Sequence, residues 1–200
     1  MRAPEERTMK EATKQRGRRL LRPLVSLLAA MRVSPTAVTL LGLPLSVGAG
    51  YCFANGWFIW GGVFVALVGL CDTLDGELSR RTGTASVLGA FLDSTVDRLS
   101  ESLVLVGLYW YYRDSWFGLL AITALVFSLM VSYVRARAEG VGRECKVGLF
   151  ERPVRVLLLL FGAFVLGRTW MPVTLGVIAL GSLMTVIQRI AHVLSQRGPA

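Results

Sequence analysis

Four aspartates carry the first chemical signal in this sequence. Asp72 and Asp75 stand three residues apart and Asp93 and Asp97 four apart, so on helices each pair projects from one side. Six of the 13 acidic residues fall between positions 72 and 101, Glu77 and Glu101 completing the set. Ser86, Gly89, Asp93 and Asp97 follow steps of 3, 4 and 4 and form one stripe, in which the glycine lets a ligand approach the backbone. Four converging carboxylates repel one another, and a divalent cation removes that cost. Oxygen ligands in this number suit Mg²⁺, Mn²⁺ or Ca²⁺ rather than zinc. Magnesium held by few carboxylates points to phosphate or pyrophosphate chemistry. Two other readings compete. The aspartates could cap helices or pair with Arg80, Arg81 and Arg98, or they could mark an ion pathway; a pathway, however, spreads its acids over several depths, and these gather at one end.

The elements that must position these residues are apolar. Of 200 residues, 54% are hydrophobic and 18% charged, a composition too apolar for a water-soluble domain. Crossing ~30 Å of hydrocarbon takes roughly 20 residues, which leaves room for about six or seven crossings and no separate soluble domain. At that depth an ionised carboxylate costs about 2.5–3.5 kcal/mol, a further reason for a metal. The expected fold is an all-α integral membrane protein with six transmembrane helices, preceded by an N-terminal interfacial amphipathic helix.

Residues 1–33 read as a polar N-terminus followed by that amphipathic helix. Leu20, Leu21, Leu24, Val25, Leu27, Leu28 and Met31 recur at helical spacing opposite Arg18, Arg19, Arg22 and Ser26. A signal peptide is the alternative, but the apolar run is short, Arg32 interrupts it, and no small-x-small cleavage site follows. Residues 34–195 read as the six-helix domain. Ser34-Pro35 opens the first span, which runs to about Ala54, and Asn55-Gly56 turns the chain. The others run from Trp57 to about Cys71, from about Ser86 to Tyr112, from Trp116 to about Tyr133, from Val154 to Leu166 and from Met171 to Ile190.

Charge orients these spans. Of 22 Lys and Arg, nine lie in residues 1–33, Arg80, Arg81 and Arg98 flank the second loop, six lie between Arg135 and Arg155, and Arg189 and Arg197 close the chain. Only Arg113 and Arg168 fall on the other side, so the termini and the loops around 72–86 and 135–153 belong in the cytoplasm of a multi-pass cell-membrane protein. Trp57, Trp60, Trp116 and Trp170 mark the opposite boundary. The formal charge of +9 therefore serves topology, and no nucleic-acid-binding motif accompanies it. Cys52, Cys71 and Cys145 lack disulfide or zinc spacing and read as packing residues. The single histidine, His192, has no nucleophile at a suggestive spacing.

The aspartates also match a family. Asp72-Thr73-Leu74-Asp75-Gly76-Glu77-Leu78-Ser79-Arg80, eight residues, then Gly89-Ala90-Phe91-Leu92-Asp93-Ser94-Thr95-Val96-Asp97 resembles the DxxDGxxAR…GxxxDxxxD signature of the CDP-alcohol phosphotransferases. Ser79 stands where that family usually has Ala. The resemblance implies a six-helix, homodimeric membrane enzyme that moves a phosphatidyl group from CDP-diacylglycerol to an alcohol and releases CMP. Carried over by position, Asp72, Asp75, Asp93 and Asp97 would hold two Mg²⁺ ions, with Mn²⁺ as an alternative, and Asp97 would also take the acceptor's proton. Gly76, Arg80, Ser86 and Gly89, with Pro35, Thr36, Ala37 and Val38, would bind the CDP-lipid: glycine admits the nucleotide, Arg80 neutralises a phosphate, and Ser86 donates a hydrogen bond.

A second stretch bears on the acceptor. Ser132, Arg135 and Glu139 share a helix face, and Arg152 and Arg155 flank the next helix start. Clustered arginines suit an anionic alcohol, because guanidinium binds phosphate bidentately, although arginines are also expected at any cytoplasmic boundary. The pattern YVRARAE…G…ERPxR resembles the phosphatidylinositol phosphate synthase branch and its archaeal relatives. That branch implies an inositol 3-phosphate pocket made by Ser132, Arg135, Arg152, Arg155 and Arg189. It implies transfer to 1D-myo-inositol 3-phosphate, giving phosphatidylinositol phosphate and CMP; glycerol 3-phosphate is the alternative acceptor.

Overall fold

The computed structural model describes residues 21–196, whose regular structure is all helical, without a strand among them. The helices are α1 (Leu21–Ala30), α2 (Pro35–Ala54), α3 (Phe58–Thr82), α4 (Val87–Tyr112), α5 (Phe117–Gly140), α6 (Arg152–Phe161) and α7 (Gly167–Ser195). A π turn, Gly162–Leu166, links the last two. The polar N-terminus, Arg18, Arg19 and Leu20 of the expected amphipathic helix, and Arg197 lie outside the described residues.

Four stretches are long and apolar enough to cross a membrane: Pro35–Ala54, Phe58–Thr82, Phe117–Gly140 and Arg152–Ser195. Helix α4 has the length, 26 residues, and carries Asp93, Asp97 and Arg98 in its first half and Glu101 at its middle. The 44 residues from Arg152 to Ser195 would measure about 66 Å if straight, twice the hydrocarbon thickness. They are broken at Gly167, whose φ of 63° and ψ of −168° only glycine adopts readily. The expected connection between Leu166 and Met171 is thus compressed into one residue.

Helix ends follow capping rather than apolarity. Ser34 accepts from the Ala37 N–H at 3.2 Å and Pro35 fills the first turn, as the sequence predicts. But α3 continues beyond Cys71 and α5 beyond Tyr133, so much of the segments expected as loops is helical. Glu, Leu and Arg favour helix, and nothing stops α3 before Gly83, which caps it in the left-handed conformation.

Helix α2 lies against α3 and α4, α5 against α4 and α7, and α6 against α3 and α7. Where α2 crosses α4, Gly50 and Gly107 face each other so closely that a Cβ on Gly107 would strike the Gly50 backbone, and one on Gly50 would lie 2.6 Å from the Leu103 carbonyl oxygen. The core around Phe53, Leu105, Leu108, Met171, Leu175 and Ile178 grows from this contact. At the end away from the aspartates, Phe58 meets Phe53 and Tyr111 edge to face at 5.5 and 5.0 Å, and the Tyr112 hydroxyl donates to the Arg168 carbonyl. Such ring pairs each add about 0.5–1.5 kcal/mol beyond burial. Trp57, Trp60, Trp116 and Trp170 are exposed near the same ends of their helices.

The described part of the amphipathic helix does not present its whole apolar side outward. Arg32, with φ of 55°, folds α1 back so that Leu21, Val25 and Leu28 pack on Val38, Cys71, Leu74 and Leu78. Leu24, Leu27 and Met31 remain exposed. On the polar side, Arg81 donates to the Ser26 hydroxyl at 2.6 Å. The three cysteines are free and buried, in keeping with packing roles.

Candidate active site

Helices α3 and α4 bring their acids to one end of the bundle. Asp72, Asp75 and Asp93 each offer an oxygen, and the three lie within 4.8 Å of one another. Asp75 is 5% exposed, and its Oδ2 accepts from Thr39 Oγ1 at 2.5 Å. Asp93 Oδ1 is buried with no hydrogen-bond partner. Carboxylates this close, one with an orphaned oxygen, fit a hard divalent ion. The fourth aspartate takes a different partner. Arg152 Nη1 lies 2.8 Å from Asp97 Oδ1 and 2.9 Å from Asp72 Oδ2, so one guanidinium nitrogen joins α6 to both α3 and α4. All four aspartates still border one narrow cleft with Thr39, Ser100 and Arg152.

Beside the acids, a cavity of about 660 Å³ opens between the α1–α2 turn, α3 and the start of α4. Pro35, Thr36, Gly76, Arg80, Ser86 and Gly89, six of the eight residues expected at the CDP-lipid, line it, and it reaches Asp75 and Asp93. Ala37 and Val38 do not line it. At 100° per residue they turn away from Pro35, Thr36 and Thr39; Val38 is buried against Cys71 and Leu74 instead. Ser86 is the N-cap of α4 and its hydroxyl accepts from the Gly89 N–H at 3.0 Å. Arg80 pairs with Glu77 at 3.1 Å, and Ser79 also faces the cavity. Thr39 is the residue that sequence reading missed. One turn beyond Pro35 on the same face of α2, it would have been found by extending that stripe.

The arginines expected at the acceptor serve three separate environments. Arg155, 1% exposed, donates from Nε and Nη2 to the two oxygens of Glu101 at 2.6 and 2.7 Å, and from Nη1 to the Phe150 carbonyl at 2.7 Å. Arg189, 2% exposed, donates to the carbonyls of Val131 and Val147 at 2.6 and 2.9 Å and to Glu151 at 3.2 Å. A buried guanidinium must spend its donors on partners, and these two spend them holding residues 141–151 between α5, α6 and α7. Arg135 pairs with Glu139 at 3.0 Å on the exposed face they share with half-buried Ser132. Of the five, Arg152 alone touches the aspartates.

A second, mostly apolar groove of about 430 Å³ runs between α3, α4 and α6, from Val65 and Leu157 to a polar end at Asp72, Glu101 and Arg152. The site thus joins a carboxylate cluster, a polar cavity and an apolar groove.

The sequence model of CDP-alcohol phosphatidyltransferase matches residues 32–193. The chain belongs to that family. Among its relatives, the phosphatidylinositol phosphate synthase of Mycobacteroides abscessus is 35% identical over 189 residues, covering 90% of this chain and 86% of the relative. The archaetidylinositol phosphate synthase of Methanothermobacter thermautotrophicus is 38% identical over 160 residues, covering 78% of this chain and 80% of the relative. The crystal structure of Mycobacterium tuberculosis phosphatidylinositol phosphate synthase with CDP-DAG bound superposes with a TM-score of 0.82 at 31% identity, covering 91% of this chain and 99% of that one. The same enzyme has been solved with manganese and citrate. A CDP-alcohol phosphatidyltransferase is thus a multi-pass helical membrane enzyme here, with its acids gathered where α3 and α4 meet.

Proposed function

We propose that the chain transfers a phosphatidyl group from CDP-diacylglycerol to 1D-myo-inositol 3-phosphate, giving phosphatidylinositol phosphate and CMP. The observation that carries this reading is the convergence of Asp72, Asp75 and Asp93 beside the cavity that six of the expected CDP-lipid residues line. The names of the relatives favour the inositol phosphate acceptor.

Asp72, Asp75, Asp93 and Asp97 are the residues to hold divalent metal, two Mg²⁺ ions in this reading, with Mn²⁺ as the alternative. Metal in that place supplies charge neutralisation for the diphosphate and the leaving nucleotide. Thr39 fixes Asp75, and Gly76, Arg80, Ser86 and Gly89 receive the CDP moiety while the apolar groove takes an acyl chain. The acceptor oxygen bonds to the lipid-linked phosphorus as the diphosphate P–O bond breaks. The bonding pair leaves with CMP, and the acceptor proton passes to Asp97. Arg152 receives the acceptor's phosphate; Ser132, Arg135, Arg155 and Arg189 shape that side of the site.

In the membrane, α2, α3, α4, α5, α6 with its π turn, and α7 make six crossings, with α1 at the inner surface. Termini and site face the cytoplasm across the cell membrane, following the 20 to 2 split of basic residues. The working unit is a homodimer, as the family resemblance implies.

The test is CMP release from CDP-diacylglycerol by the purified protein, with each alcohol in turn. Inositol 3-phosphate should support turnover, chelation should stop it, and Mg²⁺ or Mn²⁺ should restore it. Activity with unphosphorylated inositol but not with its phosphate would overturn the acceptor, and preference for glycerol 3-phosphate would replace it.

A further inference from the structure

We infer that Ser100 donates its hydroxyl to an ester carbonyl of the CDP-lipid, where the diphosphate gives way to the acyl chains, and so selects ester-linked over ether-linked lipids. The inference deepens the transferase reading and rests on it.

Ser100 is 3% exposed, and its Oγ is buried with no hydrogen-bond partner among the described residues. Other hydroxyls on these helices behave differently. Those of Ser46, Thr73, Thr95 and Ser102 each donate to the carbonyl four residues back. A buried hydroxyl without a partner carries a desolvation cost that a bound group can relieve. Ser128 and Ser182 are buried and unpaired as well, but they line neither the aspartate cleft nor the apolar groove.

Position decides the partner. The α4 stripe of Ser86, Gly89, Asp93 and Asp97 continues to Ser100, about 4.5 Å along the axis past Asp97. There Ser100 lines both the cleft of the four aspartates and the groove between α3, α4 and α6. A lipid with its diphosphate at the acids and a chain in the groove must thread its glycerol and ester linkages through this junction. The other polar groups at that end of the groove do not suit a carbonyl. Asp72 and Glu101 are carboxylates, and Thr73 already donates to the Gly69 carbonyl at 2.9 Å. Arg152 has an unpaired Nε, but it is a cation shared between Asp72 and Asp97, and its fork matches a phosphate. Ser100 is the neutral donor that remains. An ester carbonyl accepts from it, whereas an ether linkage brings no carbonyl and leaves the hydroxyl unpaired.

The experiment compares CDP-diacylglycerol with its dialkyl ether analogue of matched chain length, each assayed by CMP release with inositol 3-phosphate. Wild-type protein should show a KM for the ester lipid about 3–10-fold below that for the ether lipid, the worth of one net hydrogen bond. In Ser100→Ala the ester KM should rise to meet the ether value. Ser102→Ala is the control: its hydroxyl is spent on the Arg98 carbonyl, and the gap should persist. Isothermal titration of each lipid into protein without acceptor should give the same ratios from binding alone. A wild type that takes both lipids equally, a gap that survives in Ser100→Ala, or a loss in that variant shared equally by both lipids overturns the inference while transfer from CDP-diacylglycerol stands. A wild type that releases no CMP from either lipid removes both readings together.

Discussion

Glu101 and Arg155 form a two-pronged ion pair, Nε to Oε1 at 2.6 Å and Nη2 to Oε2 at 2.7 Å, which fastens the middle of α4 to the first turn of α6. Both side chains are buried, and Arg152 lies one turn before Arg155 on the same helix. The pair therefore holds the helix that delivers Arg152 to Asp72 and Asp97.

Breaking one side of that pair strands a buried charge. Glu101→Leu should lose about 3–5 kcal/mol and lower the unfolding temperature in detergent, while Glu101→Leu with Arg155→Met should recover most of it. A single variant as stable as the wild type would show that the pair holds nothing.

Thr39→Val leaves Asp75 Oδ2 without its donor in nearly the same volume. Partners that orient metal-binding carboxylates typically change metal affinity by about 10–100-fold. Titration with Mn²⁺ followed by electron paramagnetic resonance should show weakening in that range. An unchanged binding curve would remove Thr39 from the site.

Gly107→Ala drives a methyl group into the Gly50 backbone, where no side chain can yield, and should cost at least about 1–3 kcal/mol. Gly69→Ala and Gly176→Ala are the controls, since nothing lies within 4 Å of the added carbon. Thermal unfolding of the three variants side by side should single out position 107.

Asp97→Asn keeps the shape of the side chain and removes its ability to take a proton. The protein should elute as the wild type does on size exclusion and lose about 10²–10⁴-fold in transfer to inositol 3-phosphate. Retained turnover would move the base elsewhere.

Much of this was legible in the sequence, for identifiable reasons. The aspartates lie at helical spacings within 30 residues of chain, so local periodicity alone places each pair on a face, and Ser34-Pro35 and Asn55-Gly56 mark ends by their own chemistry. What was hidden depends on contacts between distant elements. Glu101 and Arg155 are 54 positions apart and Thr39 and Asp75 are 36 apart, and nothing local announces either partner. Arginines at a cytoplasmic boundary look alike in one dimension. Only packing separates Arg155 and Arg189, consumed by carbonyls and acids, from Arg152. The continuation of α3 past Cys71 was hidden for another reason: hydropathy reports where lipid ends, whereas a helix ends where a residue such as Gly83 breaks its bonding pattern.

The crossing at Gly50 and Gly107 also sets the mechanics of the bundle. With backbone against backbone and no side chains between to change rotamer, α2 and α4 can neither slide nor part by small steps, so the wall that carries Asp93 and Asp97 is stiff. Helix α6 is fastened to that wall at its first turn by Glu101 and Arg155, and the π turn and the Gly167 break lie beyond this clamp, so the carboxylates keep their register from one turnover to the next.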